Sequence, residues 1–431
     1  MKKLLALLLV AVMLFSFAAC GGDDNNDDAG NAGTNEATGL SEALLPAPEI
    51  KKDFEIDANF KIGIICLHDE NSTYDLNFIN AVLAVKKALG LTDDQVILKR
   101  NIPESNDCYE AAKDLAVKGC KVVFANSFGH ETYMIQAAKE YKDVEFCHAT
   151  GTMAHTENLE NYHNAFASIY EGRYLAGIAA GMKLNELKAA GKLKGDKPVM
   201  GYVGAFTYAE VISGYTSFYL GAKSVCPDVT MKVQFTGSWY DPDEEKSAAQ
   251  ALIAAKCDLI SQHADSLGAP TACEDAGIPN VSYNGSTYES GENTFIISSA
   301  INWQPYFYYI IKAANTGAKI DADWTGTIAT GSVVLSGLNL DVAAEGTADA
   351  IKAAVEDLKT GKVKVFDTAK DNFILKDGQK ITSYMADVDT DAAFTPDTEV
   401  IANGYFNESS FRSAPYFDIQ IDGITLVNSK F

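Results

Sequence analysis

Val199 to Ala222, VMGYVGAFTYAEVISGYTSFYLGA, constrains the fold more than any other stretch of the chain. Val199 to Val203 read as a buried strand, and Gly204-Ala205-Phe206-Thr207 as a tight turn. The Ala, Val, Ile, Phe and Leu that then recur up to Leu220 have helical spacing. Strand, turn and helix in this order begin an α/β unit. In open parallel sheets, ligands sit at the turn after the carboxyl end of a strand. Phe206 lies in that turn, either as a plug for the top of the core or as a platform for a flat ligand.

The same rhythm runs through the chain. Phe60 to Cys66 (FKIGIIC) is a first strand with few polar residues, as expected of a sheet covered on both faces. A helix from Ile79 to Leu89 stops at Gly90. Strands at 96–98, 121–125 and 144–147 alternate with helices at 107–117 and 131–141. Asn164 to Ser168 is a short strand before a long helix opened by Tyr170-Glu171-Gly172-Arg173-Tyr174. The second series continues from Val199 with strands at 230–235, 258–261, 280–283 and 294–298. A helix follows at 303–314, a strand at 333–340 and a helix at 345–359. Strands separated by helices of this length imply parallel sheets with right-handed crossovers. Two such series suggest two lobes with facing loop edges and a hinged cleft between them.

The ends and the charge narrow the class. The 431 residues, 47% of them apolar, suffice for two domains of ordinary size. Residues 1–19 read as a signal peptide: Met1-Lys2-Lys3 is its positive end, Leu4 to Phe17 its apolar core. Cys20 after Phe17-Ala18-Ala19 resembles a bacterial lipobox, with Phe in place of the usual Leu. The Gly-, Asn- and Asp-rich tract that follows cannot bury enough surface to fold. Residues 20–56 are therefore expected to form a lipidated Cys and flexible tether. No later run is long and apolar enough to span a membrane. Cleavage before Cys20 removes Lys2 and Lys3 and takes the formal net charge from −23 to −25. Such a surface repels nucleic acid and anionic lipid, and it suggests, weakly, a neutral or cationic ligand. The seven Cys beyond Cys20 are odd in number and lack short spacings, which argues against a disulfide framework.

Dinucleotide, P-loop, serine-hydrolase and C-x-x-C motifs are absent, and His130-Glu131 lacks the second His of a zinc-protease helix. The spacing of His148, His155 and His163 specifies no metal site. Asp265 stands at a strand end beside His263, where it is open to three roles: acid/base chemistry, helix capping, or hydrogen bonding to a ligand. Tyr74, Phe128, Phe206 and Trp303 fall in strand-to-helix turns, and Trp239 in the loop GSWYDPDEE. Aromatic faces on opposing lobes would sandwich a planar ligand, each stack contributing roughly 1–3 kcal/mol.

ANSFGHE (125–131), FCHATG (146–151), YEGRYLAGIAAG (170–181), MGYVGAFTYAEV (200–211), Trp239 with Asp241-Pro242, AAQALIAAKCDLISQHADS (248–266) and AINWQPYF (300–307) together carry a family likeness. From about Phe60 to Phe366 the chain resembles the BMP family (basic membrane protein, purine-nucleoside-receptor-like) of solute-binding lipoproteins. It looks most similar to the branch associated with free purine bases. The nucleoside-binding branch commonly has an Asp where Asn284 stands and a Lys near Trp303. Those residues hold ribose there, so their absence favours a bare base.

The resemblance implies a type I periplasmic-binding-protein fold, with two doubly wound parallel-sheet lobes around a hinged cleft. The N-terminal lobe is expected at 57–166 plus about 300–325, and the C-terminal lobe and tail at 167–299 plus about 330–431. Crossovers are expected near 164–170, 298–303 and 325–335. The implied function is that of a lipid-anchored, extracytoplasmic receptor that captures a purine base or nucleoside and delivers it to an ABC permease. Such a receptor is a monomer, not an enzyme, and needs no cofactor, metal or nucleic acid. The expected ligand-binding residues are Tyr74, Ser127, Phe128, Phe206, Trp239, Asp265, Asn284 and Trp303, with Cys20 lipidated. Two alternatives remain: an extracellular hydrolase using Asp265 and His263, and a ligand sensor for a membrane partner.

Overall fold

The computed structural model describes residues 39–371, 373–388 and 398–429. The expected signal peptide, Cys20 and the first part of the expected tether lie outside them. Two sheets organise the described chain. The first lobe has six strands, in spatial order Asp323–Gly326, Tyr162–Ala167, Glu145–Ala149, Val122–Ala125, Ile62–Ile65 and Val96–Lys99. All of its pairings are parallel. The second lobe has eight, ordered Leu40–Leu45, Val333–Asn339, Phe295–Ile301, Asn280–Tyr283, Leu259–Gln262, Val199–Gly204, Thr230–Phe235 and Ile424–Leu426. Its centre is parallel, and Val333–Asn339 pairs antiparallel with both of its neighbours.

Central strands such as Ile62–Ile65 and Val122–Ala125 are buried at every position, because helices cover both faces. Local signals set the helix ends. The helix Thr73–Leu89 is capped by the Ser72 side chain, which accepts from Asp75 N, and stops at Gly90 in the left-handed region. The helix Pro242–Ala254 starts from Asp241, whose side chain accepts from the next two free amides, with Pro in its first turn.

Past Ile62, where it has entered the first lobe from the second-lobe strand Leu40–Leu45, the chain crosses between the lobes three times: after Ala167, between Ile301 and Gln304, and between Gly326 and Val333. The helix Ile169–Ala189, just beyond the first crossing, packs closely on Ala209–Val225. A Cβ at Gly177 would lie 2.1 Å from the Phe218 carbonyl oxygen, and one at Gly221 2.0 Å from that of Tyr174. Only glycine permits this approach.

The expected tether needs correction at its C-terminal end. Leu40–Leu45 forms the edge strand of the second lobe against Val333–Asn339. Ile50, Phe54 and Ile56 are half-buried against the core. Their apolar side chains supply the burial that the preceding Gly/Asn/Asp tract lacks. At the other end, Ile424–Leu426 adds a parallel strand beside Thr230–Phe235. All seven cysteines after Cys20 are buried and free. No helix of the described residues is long and apolar enough to cross a membrane.

Candidate functional site: a cleft at two switch points

Strand order places the cleft. In the first lobe the chain leaves Ile62–Ile65 for Val96–Lys99 on one side and returns to Val122–Ala125 on the other. In the second lobe Val199–Gly204 is flanked in the same way by Thr230–Phe235 and Leu259–Gln262. Such switch points leave a crevice beyond the strands' carboxyl ends. The turns that follow these strands face each other around a small cavity of about 20 Å³, room for little more than a water molecule in this arrangement of the lobes. The first lobe contributes Leu67, His68, Tyr74, Asp75, Ser127, Phe128 and Thr150. The second contributes Glu210, Trp239, His263, Asp265, Tyr283 and Asn284.

The lobes meet around this cavity. Thr73 donates to the Asp265 carbonyl from its backbone N–H at 2.9 Å and from Oγ1 at 3.2 Å. Asn77 Nδ2 reaches Asn284 Oδ1 at 3.5 Å. His68 lies against Tyr240, and Phe128 against Tyr208, with ring centroids 5.1 and 5.3 Å apart.

Of the eight expected residues, Tyr74, Ser127, Phe128, Trp239, Asp265 and Asn284 line the cavity. Asp265 is 5% exposed, and its Oδ1 accepts from Asn284 Nδ2 at 3.3 Å. Burial, and then the neighbouring Glu245, Asp75 and Glu210 carboxylates, push its pKa well above the ordinary range. Asn284 adopts a left-handed conformation with φ 65°, which Asn tolerates well. Tyr74 donates from its hydroxyl to the Asn126 carbonyl at 2.7 Å and sets its ring edge-on to Phe78. Ser127 Oγ donates to Glu104 Oε1 at 2.6 Å, so its hydroxyl is already engaged. Phe128 is 40% exposed at the cavity's margin.

Two expectations are corrected. Trp303 is 1% exposed and belongs to the first lobe's core, stacked on Phe78 at 4.4 Å. It follows a strand of the second lobe but crosses to the first, and its indole fills the space between Phe78 and Phe166. Phe206 does not line the cavity. Its ring stacks on Tyr208 at 5.1 Å and backs Trp239 edge-on at 5.0 Å.

Asp75, Glu210 and Tyr283 were not anticipated. Asp75 accepts from His68 N at 3.1 Å and Asn126 Nδ2 at 2.7 Å. Burial alone would raise its pKa, but the hydrogen bonds from His68, Asn126 and Ser72 outweigh it and hold the carboxyl below its ordinary range. Glu210 lies in the first turn of its helix, 3.5 Å from His263 Nε2, while His263 Nδ1 faces the Tyr202 hydroxyl at 3.3 Å. Tyr283 is 2% exposed, and its hydroxyl has no hydrogen-bond partner among the described residues. The available signal was position: Tyr283 ends a strand just before Asn284. The described residues contain no cluster of His, Cys, Asp and Glu suited to a metal ion.

Two doubly wound lobes, three crossings and a cleft at both switch points define a type I periplasmic-binding-protein fold. Solved structures of ABC transporter solute-binding proteins share it. One from Conexibacter woesei DSM 14684 has a TM-score of 0.58 at 19% identity, covering 71% of this chain and 98% of that one. Another, from Aeropyrum pernix K1, has a TM-score of 0.59 at 15% identity, covering 71% and 93%. Within this class, the family described as ABC transporter substrate-binding protein PnrA-like matches residues 68–345, and the chain belongs to it. A protein named as purine-binding from Brucella abortus (strain 2308) is 34% identical over 241 residues, 56% of this chain and 64% of that one. An ABC transporter glucose-binding protein, so named, from Haloferax volcanii is 32% identical over 274 residues, 62% of this chain and 65% of that one. The chain thus spans just under two thirds of each of these relatives' length.

Proposed function

We propose that the protein is an extracytoplasmic solute-binding component of an ABC importer that captures a purine base or nucleoside by closing its two lobes. It would be held at the membrane through a lipid on Cys20 and act as a monomer. The observation that carries the ligand class is the buried Asp265–Asn284 pair in the wall of a cavity bounded by six rings: His68, Tyr74, Phe128, Trp239, His263 and Tyr283. Flat faces stack on a planar base, and the pair offers acceptors and donors to its edge. The name of the Brucella relative supports the same class, and membership of the family supports the importer. Binding would select the closed arrangement, because only there do both walls touch the ligand.

The cleft is read as a binding site and not a catalytic one. Both nitrogens of His263 already face Tyr202 and Glu210, which leaves the hydrolase alternative without a free general base at that position. Release of products from nucleosides would contradict this reading.

Melting with a panel of purines, nucleosides, sugars and amino acids tests the ligand class. Adenine, guanine or hypoxanthine at a hundredfold excess over Kd should add about 2.7 kcal/mol of stability. A response to sugars alone would transfer the glucose-binding relative's specificity to this chain and overturn the purine assignment. For the anchor, Cys20→Ala should release the protein from membranes, and continued membrane fractionation would contradict lipidation.

A further inference from the structure

We propose that the cavity takes its ligand as a cation, a planar heterocycle that carries a positive charge. The inference rests on the planar-heterocycle reading above and adds the sign of the charge.

Asp75 from the first lobe and Glu210 and Asp265 from the second line the cavity, and none of its lining residues is Lys or Arg. A fourth carboxylate, Glu245, lies behind Asp265 and accepts from Ser266 N at 3.1 and 3.2 Å. The charged or titratable groups that face these acids are few. His68 Nδ1 lies 3.4 Å from Asp75 Oδ2, and His263 Nε2 lies 3.5 Å from Glu210 Oε1. Burial holds the His263 pKa down, towards the neutral form. Arg173 lies under the floor with its guanidinium 5.2 Å from the Tyr283 ring centroid. Its Nη1 and Nη2 donate to the Ser282 carbonyl at 3.0 Å and to Ser261 Oγ at 2.6 Å, while Nε has no partner among the described residues. Arg173 is not among the residues lining the cavity, but its charge favours neutral His263 and ionised Tyr283.

Closing the lobes therefore brings the Asp75 and Glu210 carboxylates from opposite walls to one partly dry space, around Asp265, whose raised pKa already reflects that crowding. A neutral ligand would leave that repulsion in place and displace the water that screens it. A delocalised cation would relieve it and would be attracted to the faces of Tyr74, Phe128, Trp239 and Tyr283. The unpartnered Tyr283 hydroxyl, 2% exposed, supplies a further polar contact in the same wall. The carboxylates share one field: after burial, Glu210, Asp265 and Asp75 all raise the Tyr74 pKa, and Glu210 and Asp265 raise that of Tyr283.

The test is calorimetric titration of the full chain at pH 7.5 with two purines of matched methylation, the permanent cation 7,9-dimethyladeninium and neutral 8,9-dimethyladenine. The cation should bind about tenfold more tightly, and Glu210→Gln should reduce that preference without loss of melting temperature. Equal or tighter binding of the neutral probe overturns the charge assignment and leaves the purine reading standing. Binding of neither probe overturns both. If Glu210→Gln proves unstable, Asp75→Asn supplies the second variant, and an unchanged preference in a folded variant contradicts the role given to the carboxylates.

Discussion

The two walls of the cleft are built from the same kind of strand-end turn, yet they hold their polar groups differently. In the first lobe, Tyr74 donates to the Asn126 carbonyl, Ser127 to Glu104, and Asp75 collects hydrogen bonds from His68 and Asn126. Those groups find their partners within their own lobe, except that Asp75 Oδ2 has no hydrogen bond and lies 3.4 Å from His68 Nδ1. In the second lobe, the Tyr283 hydroxyl is unpartnered, and Asp265 is crowded by other carboxylates and receives only a long bond from Asn284. Buried groups in that state are costly until something pairs with them. On the proposed function, this difference would give recognition mainly to the second lobe, with the first as a shaped cover.

The largest expected effect separates core from cleft. Trp303→Ala should cost about 3–5 kcal/mol of folding stability, because it empties a fully packed site in the first lobe. Any surviving folded protein should keep its affinity. A selective loss of affinity with normal melting would return Trp303 to the cleft and break the division drawn here.

A second effect comes from buried acids of the second lobe. Burial raises Glu245 from 4.5 to about 7, and Glu408 behaves alike, also reaching about 7. Between pH 4.5 and 7 the folded protein therefore holds protons that the unfolded chain has released. These two groups lower stability as pH rises through that window, by up to about 1.4 kcal/mol per pH unit each, against the opposite slope of buried His130 and His148, whose pKa values are lowered to about 4. Chemical denaturation across this range should show the net slope, and Glu245→Gln should remove its part of the fall. A pH dependence left unchanged by Glu245→Gln would contradict the desolvated state of that carboxyl.

The smallest effect sharpens the contrast between the walls. Tyr283→Phe should leave melting unchanged, since the hydroxyl has no partner among the described residues, and should weaken ligand binding by about 0.5–1.5 kcal/mol. Loss of stability with unaltered affinity would show that the hydroxyl serves the fold.

Much of the architecture was legible because its strands are nearly continuous apolar runs between helices, a pattern that covered parallel sheets impose. The edge strand Leu40–Leu45 escaped, since its partner lies at Val333–Asn339, far along the chain, and a short run after a polar tract does not reveal a distant pairing. For the site, aromatics in strand-end turns line the cavity at Tyr74 and Phe128 but not at Trp303 and Phe206. Local sequence places a residue in a turn, but the neighbouring elements decide whether its ring points into the cleft or the core. Tyr283 and Glu210 were missed for the converse reason. A strand's last residue and a helix's first turn look ordinary until the strand order brings them to one edge.

The central claim is that the second lobe's wall recognises the ligand through Asp265. Its most direct test is titration of adenine, guanine and hypoxanthine into the native protein and Asp265→Ala, with melting of both ligand-free forms. Loss of this buried hydrogen-bonding carboxyl would leave a polar group of the ligand unpaired and should weaken binding by roughly 1–3 kcal/mol, about fivefold or more. The free variant should melt at or above the native temperature, because a buried carboxyl crowded by others has been removed. Unchanged affinity, or a variant that loses stability while binding normally, would contradict the account.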